Sequence, residues 1–192
     1  MNAYILPLSD PQADLATVGG KGASLAKLTQ AGLPVPGGFH ITTAAYREFV
    51  ATNELQPHIL AALANVDPLQ PASLEAASAT IYKLFATAEV PVSLTNAILQ
   101  AYEALPGKNP AVAVRSSATA EDLPEASFAG QQETFLNVSG TQALLEAVRK
   151  CWASLWTARA IAYRLRAGIA SESVALAVVV QLLVPAQAAG IL

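Results

Sequence analysis

The segment from Val174 to Val184 limits the choice of fold more than any other part of the chain. Every residue in it except Gln181 is apolar, and valine is the commonest. The run falls well short of the roughly 20 residues that a helix needs to cross a bilayer. It predicts a strand buried on both faces, within a sheet that is covered on both sides. We therefore expect an α/β (α+β) fold built around this strand.

Helical patterns fill the middle of the chain. Between residues 55 and 105, apolar residues recur at three- and four-residue spacing, which is typical of helices with one buried face. Thr43 stands before a similar run that ends at Val50 and is a candidate helix cap. These runs predict a helical layer over residues 43–105. Residues 141–166 carry the same periodicity, and we expect one long helix there.

The remaining segments suggest how the chain is divided. Val112–Arg115 and Thr134–Val138 are expected to be strands. Residues 1–108 would then form a Gly-Lys turn with the helical layer, and residues 109–192 a strand–loop–helix–strand part of a binding lobe. The last three residues resemble the beginning of another strand, so we expect the lobe to be truncated at its C-terminus.

Composition excludes several classes of protein. Charged residues make up only 13% of the chain, against about a quarter in typical soluble domains, while 53% are hydrophobic. Such a chain exposes apolar surface, which predicts self-association or a protein partner. The net charge is −3 and no basic run stands out, so nucleic-acid binding is not expected. No segment has the length or flanking charges of a membrane anchor.

The metal-binding side chains are few and widely spaced. The two histidines, His40 and His58, and the single Cys151 lack the spacing of a zinc or iron–sulfur site, so no metal ligand is assigned among them. Cys151 lies beside Trp152 in a helical pattern and is interpreted as a core residue. One cysteine forms no internal disulfide, which suits a reducing cytoplasm.

Arg115 ends an apolar run and opens the stretch Arg115-Ser116-Ser117. A strand that carries an arginine and hydroxyl groups to its tip can hold an anion, because guanidinium offers forked donors and the hydroxyls add neutral ones. A small-residue loop around Gly130 would let backbone amides approach the same ligand. The alternative is a structural ion pair of Arg115 with Glu121 or Asp122.

A second candidate anion site lies at Gly19-Gly20-Lys21-Gly22. The spacing is not that of a Walker loop, because Leu15 and Gly22 stand where that pattern needs glycine and Ser or Thr. The segment nevertheless offers a glycine turn, a helix N-terminus and one ammonium group, which suit a phosphate. The alternative is an ordinary glycine turn with a solvated lysine.

Gln181 is the one polar residue inside the apolar strand. A buried amide without partners costs on the order of 1–3 kcal/mol, so its groups must be bonded. The partners could be backbone groups or the edge of a nucleotide base, and both interpretations stay open.

Together these segments resemble the nucleotide-binding domain of the phosphoenolpyruvate synthase and pyruvate phosphate dikinase family. Three stretches, in this order, carry the resemblance: Val18 through Phe39, Val114 through Thr134, and Val178 through Gln181. The resemblance implies an ATP-grasp-like fold that binds ATP. It also implies phosphoryl transfer from ATP to a histidine on a swivelling domain, and from there to pyruvate.

The resemblance also implies roles for individual residues. Lys21 and Arg115 would hold the ATP phosphates and neutralise transition-state charge, and both are the candidate catalytic residues. The other candidate ATP-binding residues are Ser116 beside Arg115, Gly130, Gln131 and Thr134 in the loop over the phosphates, and Gln181 and Leu183 at the adenine. Mg²⁺ would be bound by side chains expected after Leu192.

Two other functions remain in competition. The ATP lobe of a rifampicin phosphotransferase shares the same motifs, so the phosphoryl acceptor could be pyruvate or that antibiotic. A non-catalytic module that binds a nucleotide or a partner protein is the alternative outside enzymes. The fragment alone is expected to be inactive.

Overall fold

The computed structural model describes residues 3–119 and 133–186. The strands are β1 (Ile5–Pro7), β2 (Gly38–Ile41), β3 (Val112–Ala118), β4 (Thr134–Val138) and β5 (Leu176–Leu182). They form one five-stranded sheet in the order β1-β2-β5-β3-β4, with every neighbouring pair antiparallel.

The central strand β5 confirms the expectation drawn from its apolar run. Residues 176–181 are buried on both faces, and strands from both sides of residue 108 flank β5 in the same sheet. The mixed α/β prediction is thereby confirmed. The division of the chain at residue 108 stays a prediction.

Seven helices occupy the described ranges: α1 (Leu15–Gln30), α2 (Thr43–Thr52), α3 (Leu55–Leu63), α4 (Pro71–Thr87), α5 (Val92–Glu103), α6 (Thr141–Ala153) and α7 (Ala158–Ala167). Helices α2 to α5 confirm the helical layer expected over 43–105. The cap predicted at Thr43 was wrong. Thr42 occupies the cap position without a side-chain bond, and the Thr43 hydroxyl instead donates to the carbonyl of Ala16 in α1, at 2.9 Å.

The single long helix predicted over 141–166 was also wrong. Helix α6 ends at Ala153, a 3₁₀ turn covers Ser154–Trp156, and α7 begins at Ala158. Thr157 is extended, and its hydroxyl accepts a hydrogen bond from the amide of Ala160, so it caps a new helix. Buried residues keep a three- or four-residue spacing on both sides of the break. Apolar periodicity alone therefore does not reveal that the helix is interrupted.

The two faces of the sheet are covered differently. One face packs against the helical layer and α6, and Tyr46, Phe49, Phe85 and Trp152 form the aromatic centre of the main core on that side. Cys151 is buried there, as expected for a core residue. The other face is covered by α1, whose smaller apolar cluster consists of Leu6, Ala13, Val18 and Ala26. The candidate site lies on this second face.

Candidate functional site

Helix α1 contains a kink at Gly19, the first residue of the glycine turn. Its φ of 71° and ψ of 176° are not helical, so α1 consists of two segments that meet at this residue. A positive φ of this size favours glycine, because a side chain would crowd the backbone. The sequence predicted a glycine turn leading into a helix, and the structure places the turn inside a longer helix that begins at Leu15.

The glycine turn lies against β3 with no room for a side chain. A Cβ atom added to Gly19 would lie 2.3 Å from the backbone oxygen of Ser117, and one added to Gly22 would lie 2.8 Å from the Cβ of Val18. Gly19 is therefore needed for close packing of α1 on the sheet as well as for the turn, and Gly22 avoids a clash with Val18 inside α1.

Lys21 reaches from this turn to the strand of Arg115. Its Nζ donates to the backbone oxygen of Ser116 at 3.3 Å. Residues 115 and 117 share one face of β3, since side chains alternate along a strand, and the Ser117 hydroxyl contacts α1. Arg115 therefore lies on the sheet face that α1 covers. The structure thus brings the Lys21 ammonium next to the residue that follows Arg115.

The alternative ion pair of Arg115 involves Glu121 or Asp122, which lie outside the described residues. Within the described ranges, the buried Nε of Arg115 has no hydrogen-bond partner. Gly130 and Gln131 also lie outside those ranges.

The strand register places several predicted residues in one row across the sheet. Arg115 is opposite Thr134 of β4 on one side and Val179 of β5 on the other. Val179 is in turn opposite His40 of β2. Directly opposed residues point to the same face, so Thr134, Arg115 and His40 all lie on the α1 side. Thr134 is exposed there, which leaves its hydroxyl accessible.

Ser116 and Gln181 are placed differently from Arg115. Ser116 lies on the opposite face of β3, where its hydroxyl donates to the backbone oxygen of Glu133 at 3.3 Å, and it meets Lys21 through its carbonyl alone. The Gln181 amide nitrogen donates to the backbone oxygen of Pro36 at 3.2 Å. This bond corresponds to the backbone-bonding interpretation of that buried amide. Leu183 follows β5, and its amide donates to the carbonyl of Ala111.

His40 and Ser117 are two further buried polar residues of this face. The sequence assigned no ligand role to His40 and counted the Ser117 hydroxyl among the neutral donors near Arg115. Neither ring nitrogen of His40 has a hydrogen-bond partner in the described part of the chain. A Cβ on Gly22 would lie 3.3 Å from its Nδ1, so the imidazole packs beneath the glycine turn. Burial lowers the pKa of His40 below its usual 6.5, partly offset by the Leu8 backbone and the charge of Asp10. His40 stands between Phe39 and Ile41 in a predicted strand, and both of these neighbours are buried. Because side chains alternate along a strand, this pattern indicated that His40 faces the other side of the sheet.

Residues 3–119 and 133–186 contain no group of three or more His, Cys, Asp or Glu side chains that could hold a metal ion. No helix in these ranges is long and apolar enough to span a membrane.

Comparison with known proteins identifies the family of the chain. The family described as pyruvate phosphate dikinase, AMP/ATP-binding domain, matches residues 15–192. A probable phosphoenolpyruvate synthase of Methanothermobacter thermautotrophicus is 49% identical over 93% of the chain, and one of Methanocaldococcus jannaschii is 48% identical over 99%. A rifampicin phosphotransferase of Streptomyces sviceus is 47% identical over 98%.

The chain spans 27%, 16% and 22% of the lengths of these three relatives, respectively. The family match nevertheless covers all three stretches on which the sequence resemblance depends. The resemblance is thereby confirmed, and the chain belongs to the pyruvate phosphate dikinase AMP/ATP-binding domain family.

Proposed function

We propose that this chain supplies the ATP-binding part of an ATP-dependent phosphotransferase, with the polyphosphate bound between the glycine turn of α1 and the end of β3. The observation that carries the proposal is the contact of Lys21 Nζ with the Ser116 carbonyl, 3.3 Å, beside Arg115. This contact supports a site in which two cations from segments far apart in sequence bind the same polyphosphate.

Each residue of this site has a proposed task. Lys21 and Arg115 bind the phosphates and neutralise the charge that develops on the transferring group. The Arg115 Nε, which lacks a partner among the described residues, is available for a phosphate oxygen. Thr134, opposite Arg115 in the register, adds a hydroxyl donor. Ser116 contributes its backbone carbonyl, which accepts a hydrogen bond from the Lys21 ammonium.

The remaining assignments rest on the family resemblance. We propose that Gly130 and Gln131 lie over the phosphates and that Gln181 and Leu183 border the adenine, within an ATP-grasp-like lobe. Mg²⁺ would accompany ATP, but the described residues offer no ligand cluster for it. We also propose a cytoplasmic location, which the lone buried Cys151 supports because it cannot form an internal disulfide.

For the acceptor, we propose pyruvate, reached through a histidine on a swivelling domain as in phosphoenolpyruvate synthases. Two of the relatives described above carry the name probable phosphoenolpyruvate synthase, and this favours pyruvate. Rifampicin is the second candidate acceptor, because a similarly identical relative is named rifampicin phosphotransferase. A module that binds a nucleotide without transferring phosphate is the third candidate.

Incubation of the full-length protein with MgATP and either acceptor separates these candidates. Phosphorus NMR is expected to show AMP and phosphoenolpyruvate with pyruvate, and no modified antibiotic with rifampicin. Phosphorylation of rifampicin without turnover of pyruvate would overturn the acceptor assignment. ATP binding without turnover of either compound would favour the non-catalytic module.

Replacement of Lys21 tests the site itself. The variant Lys21→Met is expected to lower kcat/KM for ATP by about 10²- to 10³-fold, the effect of losing one preorganised charge donor. Lys27→Met is the matched control, because Lys27 is an exposed lysine in the last turn of the same helix. Equal activities of the two variants would contradict the proposed role of Lys21.

A further inference from the structure

We infer that Ser117 is a positioning residue that fixes the helical turn carrying Lys21 and so sets the place of its ammonium group. The inference rests on the proposed ATP site and adds a residue that never touches the nucleotide. Ser117 lies on the α1 face of β3 and is 0% exposed. Its hydroxyl makes two hydrogen bonds, both to α1.

The two partners of this hydroxyl are four residues apart. Ser117 Oγ donates to the Val18 carbonyl at 2.7 Å and accepts from the Gly22 amide at 3.1 Å. In an uninterrupted α-helix, the amide of residue 22 would bond directly to the carbonyl of residue 18. The kink at Gly19 lies between them. The Ser117 hydroxyl therefore bridges the two groups at the interruption, as an inserted side chain does in other kinked helices.

Lys21 lies inside the bridged turn. Its backbone orientation depends on how the Val18 and Gly22 groups are held, and both are held by one buried side chain of the neighbouring strand. The next residue of that strand toward Arg115, Ser116, meets the Lys21 Nζ through its carbonyl. Strand β3 thus holds the turn at the backbone through Ser117 and meets the tip of the lysine through Ser116.

The glycines make this bridge possible. Gly19 approaches so closely that an added Cβ would lie 2.5 Å from Ser117 Oγ. Any side chain at residue 19 would push the turn away from the hydroxyl. The kink opens the helix at Gly19, the glycine lets β3 approach, and the Ser117 hydroxyl bonds to the two backbone groups that the kink separates.

The test compares Ser117→Ala with Thr43→Val in the full-length protein. Thr43 is the matched control, because its buried hydroxyl also donates to an α1 carbonyl, that of Ala16 at 2.9 Å, but on the other side of the kink. By calorimetry with MgATP, the Ser117 variant is expected to bind about five- to tenfold more weakly, the scale of one lost hydrogen bond. Thr43→Val is expected to bind as the original protein does.

A double-mutant cycle with Lys21→Met distinguishes positioning from general stability. If Ser117 acts through Lys21, Ser117→Ala has little further effect on ATP affinity once Lys21 is replaced. Additive effects, or an unchanged affinity in the single Ser117 variant, would overturn the inference. If Lys21→Met itself binds ATP normally, the proposed ATP site fails, which is a separate result.

Circular dichroism shows whether Ser117→Ala is folded. If it is not, Ser117→Cys replaces it in the cycle, because the thiol is of similar size but is a weaker donor and acceptor. The same coupling to Lys21 is expected, with a smaller loss of affinity. Full additivity in the cysteine variant counts against positioning just as it does for alanine.

Discussion

His40 is a buried side chain beneath the candidate site that can make the stability of the fold depend on pH. Both of its nitrogens lie in the interior without hydrogen-bond partners among the described residues. Around it are Leu6 of β1, Val179 of β5 and Gly22 of α1, none of which carries charge. The Leu8 backbone and, less strongly, the charge of Asp10 favour its protonation. A proton on this imidazole would be buried beneath the glycine turn. The neutral ring is therefore the form compatible with the fold.

Acid is expected to destabilise the protein through His40. Burial holds its folded-state pKa below the ordinary 6.5, so the unfolded chain binds more protons near and below that pH. The contribution of His40 to the free energy of unfolding should therefore be largest above pH 6.5 and fall as the pH drops below that value, by at most about 1.4 kcal/mol per pH unit for one proton. Urea denaturation at several pH values measures this slope.

Two variants isolate the contribution of His40. His40→Met removes the titrating group and should flatten the slope between pH 7.5 and 5. His58→Gln is the control, because His58 is an exposed residue of α3, and it should keep the original slope. An undiminished slope in the methionine variant would show that other groups cause it.

Among the elements, α1 depends most on the sheet for its shape. An isolated helix with this sequence has no reason to kink at Gly19 rather than at Gly20 or Gly22. The choice is made by β3, whose backbone at Ser117 leaves no space for anything larger than a hydrogen atom. The kink in turn places Lys21 at the β3 side of the helix.

Gly19→Ala is therefore expected to destabilise the protein by about 2–4 kcal/mol, since a strained positive φ and overpacking each cost about 1–3 kcal/mol. Gly32→Ala separates the two causes. Gly32 also has a positive φ, 75°, but nothing lies within 4 Å of its added Cβ. That control should lose only about 1 kcal/mol. Similar losses in the two variants, measured by urea denaturation, would contradict the crowding argument.

Tyr102 of α5 joins the helical layer to the rest of the fold. Its hydroxyl donates to the Pro110 carbonyl at 2.7 Å and accepts from the Gly140 amide at 3.0 Å, just before β3 and α6 begin. Tyr102→Phe leaves both groups without this partner and should cost about 1–3 kcal/mol of unfolding free energy. Tyr82→Phe is the control. Tyr82 is also packed against the core, but its hydroxyl has no such hydrogen bonds among residues 3–119 and 133–186, and its loss should cost less. Equal melting temperatures for the two variants would contradict this role.

For the whole molecule, we expect the chain to self-associate, as its low charge predicts. Within the described ranges β4 is an edge strand, and its Leu136 is 64% exposed. Exposed edges with apolar side chains pair with other chains unless charge opposes it. Sedimentation velocity of the 192-residue chain should show dimers or larger species that increase with concentration.

Leu136→Lys should shift this equilibrium toward the monomer, because charge on an edge strand opposes pairing. Leu69→Lys is the control. Leu69 is even more exposed, 77%, but lies outside the sheet. A monomer at all concentrations in the original protein would remove the basis for the expectation.

The local sequence was enough to predict most elements and the residue types of the site. Periodicity indicated the helical layer and the buried β5, because burial imposes a repeat on any helix or strand. It missed the break at Thr157, where the buried face continues through the interruption. The Arg115 and Lys21 motifs stood out as candidate phosphate-binding segments, because guanidinium, ammonium and glycine-rich backbone in short runs suit a phosphate.

What required the tertiary structure was every relation between distant segments. The meeting of Lys21 with Ser116, the row of Thr134, Arg115 and His40, and the bridge from Ser117 to both sides of Gly19 depend on strand register and on the packing of α1. The chemical groups available for binding follow from the residue types, which can be read directly from the sequence. Position is the result of many weak contacts between segments, some of them more than a hundred residues apart, and those contacts exist only once the chain has folded.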